Sequence, residues 1–217
     1  MNFSHANLCL RRKICRLWKG MVINMSTNTE AQTAGASTSK TKTMALIGVM
    51  AAVTCILGPL SLAIPVSPVP ISLTNLAVYF AIYVLGMKRG TISYCIYLLL
   101  GLTGLPVFAA FTAGAGKLFG PTGGYLIGFI FMALICGFFI EKWEKKLYMH
   151  FIGMVLGTAV CYFFGTAWLA YQAHMTFAAA LAAGVIPFII GDLIKIVLAV
   201  VIGPQIRKRL TKAGVYA

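Results

Sequence analysis

Long apolar runs with almost no charge occupy most of this chain and restrict it to a membrane-spanning helical fold. The mean hydropathy is +0.90, and 10% of the residues are charged, against about a quarter in soluble domains. A chain of 217 residues has room for roughly six spans of about 20 residues. Six runs can be read, at residues 44–62, 71–85, 91–110, 123–140, 151–171 and 182–203. The sequence therefore predicts an all-α integral membrane protein with a six-transmembrane-helix bundle.

The second run is short for a complete span and follows Pro65, Pro68 and Pro70. Proline lacks a backbone N–H and restricts the residue before it. Non-helical backbone at membrane depth is tolerated where protein surrounds it. We expect this segment either to be tilted or to begin with irregular backbone buried in the protein.

Basic residues are concentrated in alternate connections, which predicts the topology. With the N-terminus inside, the inner segments hold sixteen of the eighteen lysines and arginines, at 11, 12, 13, 16, 19, 40, 42, 88, 89, 142, 145, 146, 207, 208, 209 and 212. Lys195 lies in an apolar run, and Lys117 lies in an outer connection. By the positive-inside rule, both termini are cytoplasmic. The net charge of +14 then reflects topology and anionic lipid headgroups rather than nucleic acid.

The sequence divides into a membrane domain at 44–205 and two cytoplasmic tails. Residues 206–217 are basic, and residues 1–43 form a basic, Ser/Thr-rich extension without apolar periodicity at 26–42. Two interpretations of the extension stay open. It is either dispensable sequence before a true start at Met21 or Met25, or a surface anchor formed by the basic amphipathic stretch at 8–23.

An acid and an ammonium, Asp192 and Lys195, interrupt the last apolar run. Their i, i+3 spacing places them on one helical face, where they can neutralise each other. Each still costs roughly 3 kcal/mol near a bilayer centre, so an intramembrane pair indicates a functional site. The alternatives are an ion pair that ties two spans together and a proton-coupled transporter. The sequence has no Cys/His metal cluster, nucleophile elbow or phosphate loop, so we expect neither a metal site nor an enzyme.

A glycine-rich outer segment at 104–125 contains Gly120-Pro121 near its end, a pattern typical of a helix start. The fourth span would then present backbone N–H groups and its positive dipole end, which suit a ligand carboxylate. Lys117 would add a full positive charge, although the positive-inside rule disfavours basic residues in outer connections. The alternative is an ordinary glycine-rich turn between two spans.

Four elements resemble the BioY family, the biotin-specific S components of energy-coupling factor (ECF) transporters. They are the stretch at 65–76, Gly-Leu-Pro-Val-Phe-Ala at 104–109, Gly-Pro-Thr-Gly-Gly-Tyr-Leu at 120–126, and Gly-Asp-x-x-Lys at 191–195. They occur in order over about 160 residues, from 44 to 205. Thr74 stands where the family usually has Gln, so Asn75 is the candidate for that polar role.

The resemblance implies a six-helix S component in the bacterial cytoplasmic membrane, with a biotin site near its outer face. It also implies as partners a transmembrane T component and two ATPase subunits. The sequence has no Walker motif, so we expect ATP to be used by those partners alone and no cofactor in this chain. The T component would dock on small residues of the first helix, either Gly48 with Ala52 or Ala51 with Cys55. The alternative is a stand-alone or proton-coupled small-solute transporter.

The resemblance and the charge pattern together assign a biotin site. Asp192 would bind the ureido N–H groups and Lys195 the ureido carbonyl, directly or through water. The valerate carboxylate would lie toward Lys117 and the backbone N–H groups around Thr122 to Gly124, with Gly123 between them. The reverse orientation, with Lys195 on the carboxylate, stays open. Ligand pockets are mostly apolar with few polar groups; the remaining candidates are Tyr125, Phe108, Trp168 and Asn75.

Overall fold

The computed structural model describes residues 40–62 and 71–212 of the chain. The predicted anchor, the rest of the N-terminal extension to residue 39, the prolines at 65–70 and the last five residues lie outside this part. The described residues from Ala45 onward form one compact unit. The described elements, in chain order, are α1 (Lys40–Leu57), β1 (Ser61–Leu62), β2 (Ile71–Ser72), α2 (Thr74–Leu102), a 3₁₀ turn (Ala109–Phe111), α3 (Ala115–Leu118), α4 (Gly123–Lys142), α5 (Leu147–Gln172), α6 (Phe177–Gly184) and α7 (Ile186–Lys212).

Four helices of the described part, α1, α4, α5 and α7, are long and apolar enough to cross a membrane. Helix α2 has the length but carries Lys88 and Arg89 in its middle. It joins the predicted second and third runs, and Gly86 between them has non-helical angles (φ 79°, ψ 179°). The all-helical membrane class follows from these helices, while the count of six spans stays a prediction.

Gly86 is required at this break for two reasons. Its positive φ favours glycine, and a Cβ there would lie 2.5 Å from the Glu141 Oε1 atom. The same oxygen accepts a hydrogen bond from the Met87 backbone N–H at 2.7 Å. A carboxylate from α4 therefore caps the second half of α2, in the manner of a helix N-cap.

Several predicted boundaries were wrong, because hydropathy reports burial in lipid rather than helicity. The third run was expected to reach residue 110, but α2 ends at Leu102 and Gly104 follows with a φ of 102°. The last run is broken at Val185 (φ −129°, ψ −52°), between α6 and α7. Helix α7 then continues through Pro204 to Lys212. The first run was expected to reach residue 62, but its helix ends at Leu57. Ser61–Leu62 instead pair with Ile71–Ser72 in an antiparallel ladder. The second run thus begins with extended backbone, one of the two expected possibilities.

The core lies where α4 packs along α5 and where α2 packs against α4 and α7. Four tyrosines of α2 are almost fully buried, at 79, 83, 94 and 97. Each hydroxyl has a hydrogen-bond partner: the Thr158 hydroxyl, the His150 ring, the Leu126 carbonyl and the Val107 carbonyl, respectively. Satisfied hydroxyls avoid the cost of burying an unpaired polar group, so these rings fix the packing of α2 in the bundle.

Close packing of α4 against α5 should make Gly153 intolerant of a side chain. A Cβ at Gly153 would lie 2.4 Å from the Phe139 Cβ atom. Alanine gains about 1 kcal/mol of helix propensity over glycine, but overpacking costs about 1–3 kcal/mol. We expect Gly153→Ala to lower the midpoint of thermal unfolding in detergent. Gly48→Ala is the matched control, since nothing lies within 4 Å of that Cβ position, and its midpoint should stay or rise. Equal midpoints for the two variants would contradict this packing.

Candidate functional site

One cavity brings together seven of the nine residues predicted to form the site. Those that line it are Asp192, Lys195, Lys117, Thr122, Tyr125, Asn75 and Phe108. Gly123 and Trp168 do not line it. Its other lining residues include Ser72, Thr158, Tyr162, Phe129 and Phe188. The cavity therefore collects side chains from α2, α4, α5 and α7 and from the connection that contains α3.

The Asp192 carboxylate is the centre of a buried polar cluster. Its Oδ1 atom accepts hydrogen bonds from Asn75 Nδ2 at 2.8 Å and Lys195 Nζ at 3.0 Å, and its Oδ2 atom accepts from the Tyr162 hydroxyl at 2.5 Å. Lys195 Nζ also donates to the Ser72 carbonyl at 2.7 Å. Asp192 and Lys195 are each 8% exposed. The predicted pair is thus formed inside α7, and it is also bonded to α2, β2 and α5.

Local structure explains how the donors reach this carboxylate. Asn75 lies in the first turn of α2, and its Oδ1 atom accepts a hydrogen bond from the Leu76 backbone N–H at 3.0 Å. This bond fixes the amide so that its Nδ2 atom is directed at Asp192. Tyr162 lies one turn after Thr158 on α5, and the Thr158 hydroxyl donates to the Met154 carbonyl and contacts the Tyr79 hydroxyl at 2.6 Å. Two polar residues four positions apart share a helical face.

Tyr162 and Thr158 are site residues that the sequence analysis missed. Their i, i+4 spacing in the fifth apolar run was the available signal. It is weak, because tyrosine and threonine occur commonly in membrane spans. Only the position of Asp192 shows what the Tyr162 hydroxyl binds.

Lys117 and Thr122 form a second polar region of the same cavity, and it differs from the first in being unsatisfied. Within residues 40–62 and 71–212, the Lys117 ammonium has no hydrogen-bond or ion-pair partner. The Thr122 hydroxyl is buried, also without a partner in the described part. Partial burial lowers the pKa of Lys117 below its usual value. An anionic ligand group would satisfy both donors.

Gly123 and Trp168 support this region without lining it. The Gly123 N–H donates to the Gly120 carbonyl at 3.0 Å, so it is not the free donor that the sequence analysis expected. A Cβ at Gly123 would lie 1.7 Å from the Leu118 carbonyl oxygen, so only glycine fits there. The Trp168 indole N–H donates to the Gly120 carbonyl at 2.9 Å. Both residues therefore hold the start of α4 in place.

Aromatic side chains form much of the remaining wall. Phe108 is fully buried and packs edge-to-face on Tyr97, with the ring centroids 5.7 Å apart. Glycine at position 101 leaves room for this ring, because a Cβ there would lie 2.1 Å from the Phe108 Cζ atom. The Tyr125 hydroxyl donates to the Gly184 carbonyl at 3.0 Å. The cavity can thus hold an apolar molecule that carries polar groups of its own.

The proposed docking residues of α1 lie outside this cavity. Gly48 and Ala52 are exposed, and nothing lies within 4 Å of a Cβ built at Gly48. Ala51 is 2% exposed. The Gly48–Ala52 pair is therefore the accessible one of the two expected stripes.

Comparisons with known proteins agree on one family. The BioY family model matches residues 26–212. A curated relative, the biotin transporter BioY of Thermotoga maritima, is 42% identical over 147 residues, which are 68% of this chain and 86% of the relative. The biotin transporter BioY2 of Lactococcus lactis subsp. cremoris is 33% identical over 82% of this chain and 97% of the relative. A solved structure, the S component for biotin from an ECF-type ABC transporter, superposes with a TM-score of 0.73 at 37% identity, over 78% of this chain and 92% of that one.

Removing one charge from the buried cluster should lower the stability of the protein more than removing both charges. Lys195→Met leaves the Asp192 carboxylate without its ammonium partner, and breaking a buried pair in this way costs about 3–5 kcal/mol. Asp192→Asn in the same chain removes the unpaired charge and should recover part of that stability. Thermal unfolding in detergent, compared among the wild type, Lys195→Met and the double variant, measures the difference. A double variant no more stable than Lys195→Met would contradict the ion pair.

Proposed function

Because the chain belongs to the BioY family over most of its length, we propose that it captures biotin and carries it across the bacterial cytoplasmic membrane as the S component of an ECF transporter. The observation that carries this proposal is one aromatic cavity that holds both the Asp192–Lys195 cluster and the unpartnered Lys117 and Thr122 donors. Biotin has matching parts: a ureido ring with two N–H donors and a carbonyl, an apolar chain and a carboxylate.

We propose that six segments span the membrane: α1, the two halves of α2, α4, α5 and α7. The break at Gly86 supports the division of α2, because it places Lys88 and Arg89 at a turn between two apolar segments. With this count, the positive-inside rule puts both termini in the cytoplasm. The binding cavity then opens toward the outside.

The remaining hydrogen-bonding capacity of the cluster fits a ureido ring. A carboxylate has about four lone-pair sites, and Asp192 uses three of them. A lysine ammonium has three donors, and Lys195 uses two. One acceptor site of Asp192 is left for a ureido N–H, and one donor of Lys195 for the ureido carbonyl. The Tyr162 oxygen, whose hydrogen points to Asp192, can accept from the second N–H.

The same reasoning favours one orientation of biotin. Lys117 has no bound partner among the described residues, whereas Lys195 already has two. A carboxylate accepts several charge-assisted hydrogen bonds, and Lys117 with the Thr122 hydroxyl can supply them. We therefore place the valerate carboxylate at Lys117 and the ureido ring at Asp192, with Phe108 and Tyr125 against the apolar parts.

Transport requires partners that supply the energy. The chain carries no Walker motif, so we propose that a T component and two ATPase subunits couple ATP hydrolysis to release of biotin. Biotin is the substrate, and no cofactor belongs to this chain. The exposed Gly48 and Ala52 on α1 would let a helix of the T component approach closely. The alternative, proton-coupled or stand-alone uptake, predicts uptake that needs no ATPase.

The orientation of biotin can be tested by pairing one variant with one ligand analogue. Lys117→Gln removes the charge proposed to meet the carboxylate, and a hydrogen bond to a charged group is worth about 1.5–3 kcal/mol. We expect biotin affinity to fall roughly 10- to 150-fold in calorimetric titration of the purified protein. The affinity for biotin amide, which has no carboxylate, should be nearly unchanged.

Lys88→Gln is the control for this titration, because Lys88 is exposed and does not line the cavity. It should leave both affinities at the wild-type value. If Lys117→Gln lowered the affinities for biotin and for biotin amide equally, the proposed orientation would be wrong. If the wild-type protein bound no biotin, the proposed function itself would be wrong.

Docking of the T component should depend on the small residues of α1. Gly48→Leu with Ala52→Leu keeps the apolar surface but prevents close helix approach. We expect biotin binding to the purified double variant to be unchanged, while uptake in cells that express the partner subunits falls. Uptake of labelled biotin with and without those subunits measures both effects. Full uptake by the double variant would exclude this face, and full uptake without the subunits would favour the alternative transporter.

A further inference from the structure

We propose that a second cleft, distinct from the biotin cavity, binds the phosphate of an anionic phospholipid. This basic cleft has a volume of about 740 Å³ and is lined by Lys145, Arg207, Lys208 and Lys212, with the Glu144 carboxylate beside them. Four cationic side chains against one carboxylate leave a net positive charge. None of these residues belongs to the biotin cavity.

The architecture of the bundle concentrates these charges in one place. Pro204, Lys208 and Lys212 are spaced by four residues on α7, so they share one helical face. Lys145 and Glu144 come from the connection between α4 and α5, and His150 from the first turns of α5. Like charges held together repel one another, so the arrangement favours an anion that binds between them.

Arg207 gives an independent indication of an absent acceptor. One of its terminal nitrogens, Nη2, is hydrogen-bonded to the Glu144 carboxylate. The other, Nη1, is buried and has no hydrogen-bond partner among the described residues. A buried unpaired donor costs about 1–3 kcal/mol. An oxygen of a bound phosphate would remove this cost, and arginine matches phosphate geometry well.

The surroundings favour a lipid over free phosphate as the source. Val201 and Ile202 on α7, and Phe151 and Ile152 on α5, are exposed apolar residues close in sequence to the cleft residues. They precede Pro204 on α7 and follow His150 on α5, so all four lie on the membrane side of the cleft in the proposed topology. A phospholipid whose headgroup occupies the cleft can lay its acyl chains along these apolar surfaces. Basic pockets between spans are suited to such headgroups.

The test is native mass spectrometry of the full-length protein with three probes: phosphatidylglycerol, phosphatidylcholine with the same acyl chains, and inorganic phosphate. We expect a retained adduct with phosphatidylglycerol and much less with the other two. Lys208→Gln with Lys212→Gln should weaken the phosphatidylglycerol adduct about 30-fold, at about 1 kcal/mol for each lysine.

The matched control is Lys146→Gln with Arg209→Gln, which removes the same charge from positions that do not line the cleft. The control should retain the adduct, and size-exclusion profiles should show all variants to be folded. Equal loss of the phosphatidylglycerol adduct in both double variants, or equal binding of the two lipids, would overturn the cleft as a lipid site. An inorganic phosphate adduct of equal strength would overturn the lipid source. Biotin binding is expected to be unchanged in both, so this outcome is separate from that of the proposed function.

Discussion

The rest of the bundle depends on the hydrogen bonds and the ion pair that the buried Asp192 carboxylate makes. An unpaired charge in a low-dielectric interior would cost several kcal/mol, so the fold must bring donors to it from distant parts of the chain. They come from Lys195 on the same helix, Asn75 on α2 and Tyr162 on α5. A fully satisfied polar network rigidifies the elements that share it. The cluster thereby fixes α7 against α2 and α5, which places the wall of the cavity.

The two polar regions of the cavity have different physical roles because one is satisfied and the other is not. The Asp192 cluster can exist without ligand, and it offers only the few hydrogen-bonding sites that its own bonds leave free. Such a group discriminates among ligands, since a ligand that lacks the matching donor and acceptor gains nothing from it. Lys117 and Thr122 have no partner in the described part of the chain. They gain most from an anion, so they contribute affinity.

Charged site residues can be predicted from the sequence because their burial is costly, whereas a polar residue that fits many environments gives no such signal. Asp192, Lys195 and Lys117 were identified because a charge in an apolar or outer segment requires an explanation. Tyr162 gave no comparable signal, since a tyrosine fits many environments. Gly123 was assigned through a motif and Trp168 as an aromatic wall of the pocket, and the structure shows them in contact with Leu118 and Gly120 instead. For the same reason the apolar runs predicted the membrane class, but not the break at Val185 or the early end at Leu102.

The two polar regions of the cavity also lie on different kinds of structural element. The Asp192 cluster lies on long helices, whereas Phe108, Lys117 and Thr122 lie on the connection between α2 and α4. Neutral hydrogen bonds hold that connection. From α5, Trp168 donates to the Gly120 carbonyl and Gln172 to the Phe119 carbonyl. The Tyr97 hydroxyl of α2 donates to the Val107 carbonyl, and the Ser61 hydroxyl accepts from the Ala110 N–H. Neutral hydrogen bonds contribute about 1 kcal/mol each, and hydrogen bonds to charged groups about 1.5–3 kcal/mol. An anionic ligand group that binds Lys117 would therefore add to this connection the kind of charged hydrogen bond that already fixes the Asp192 cluster.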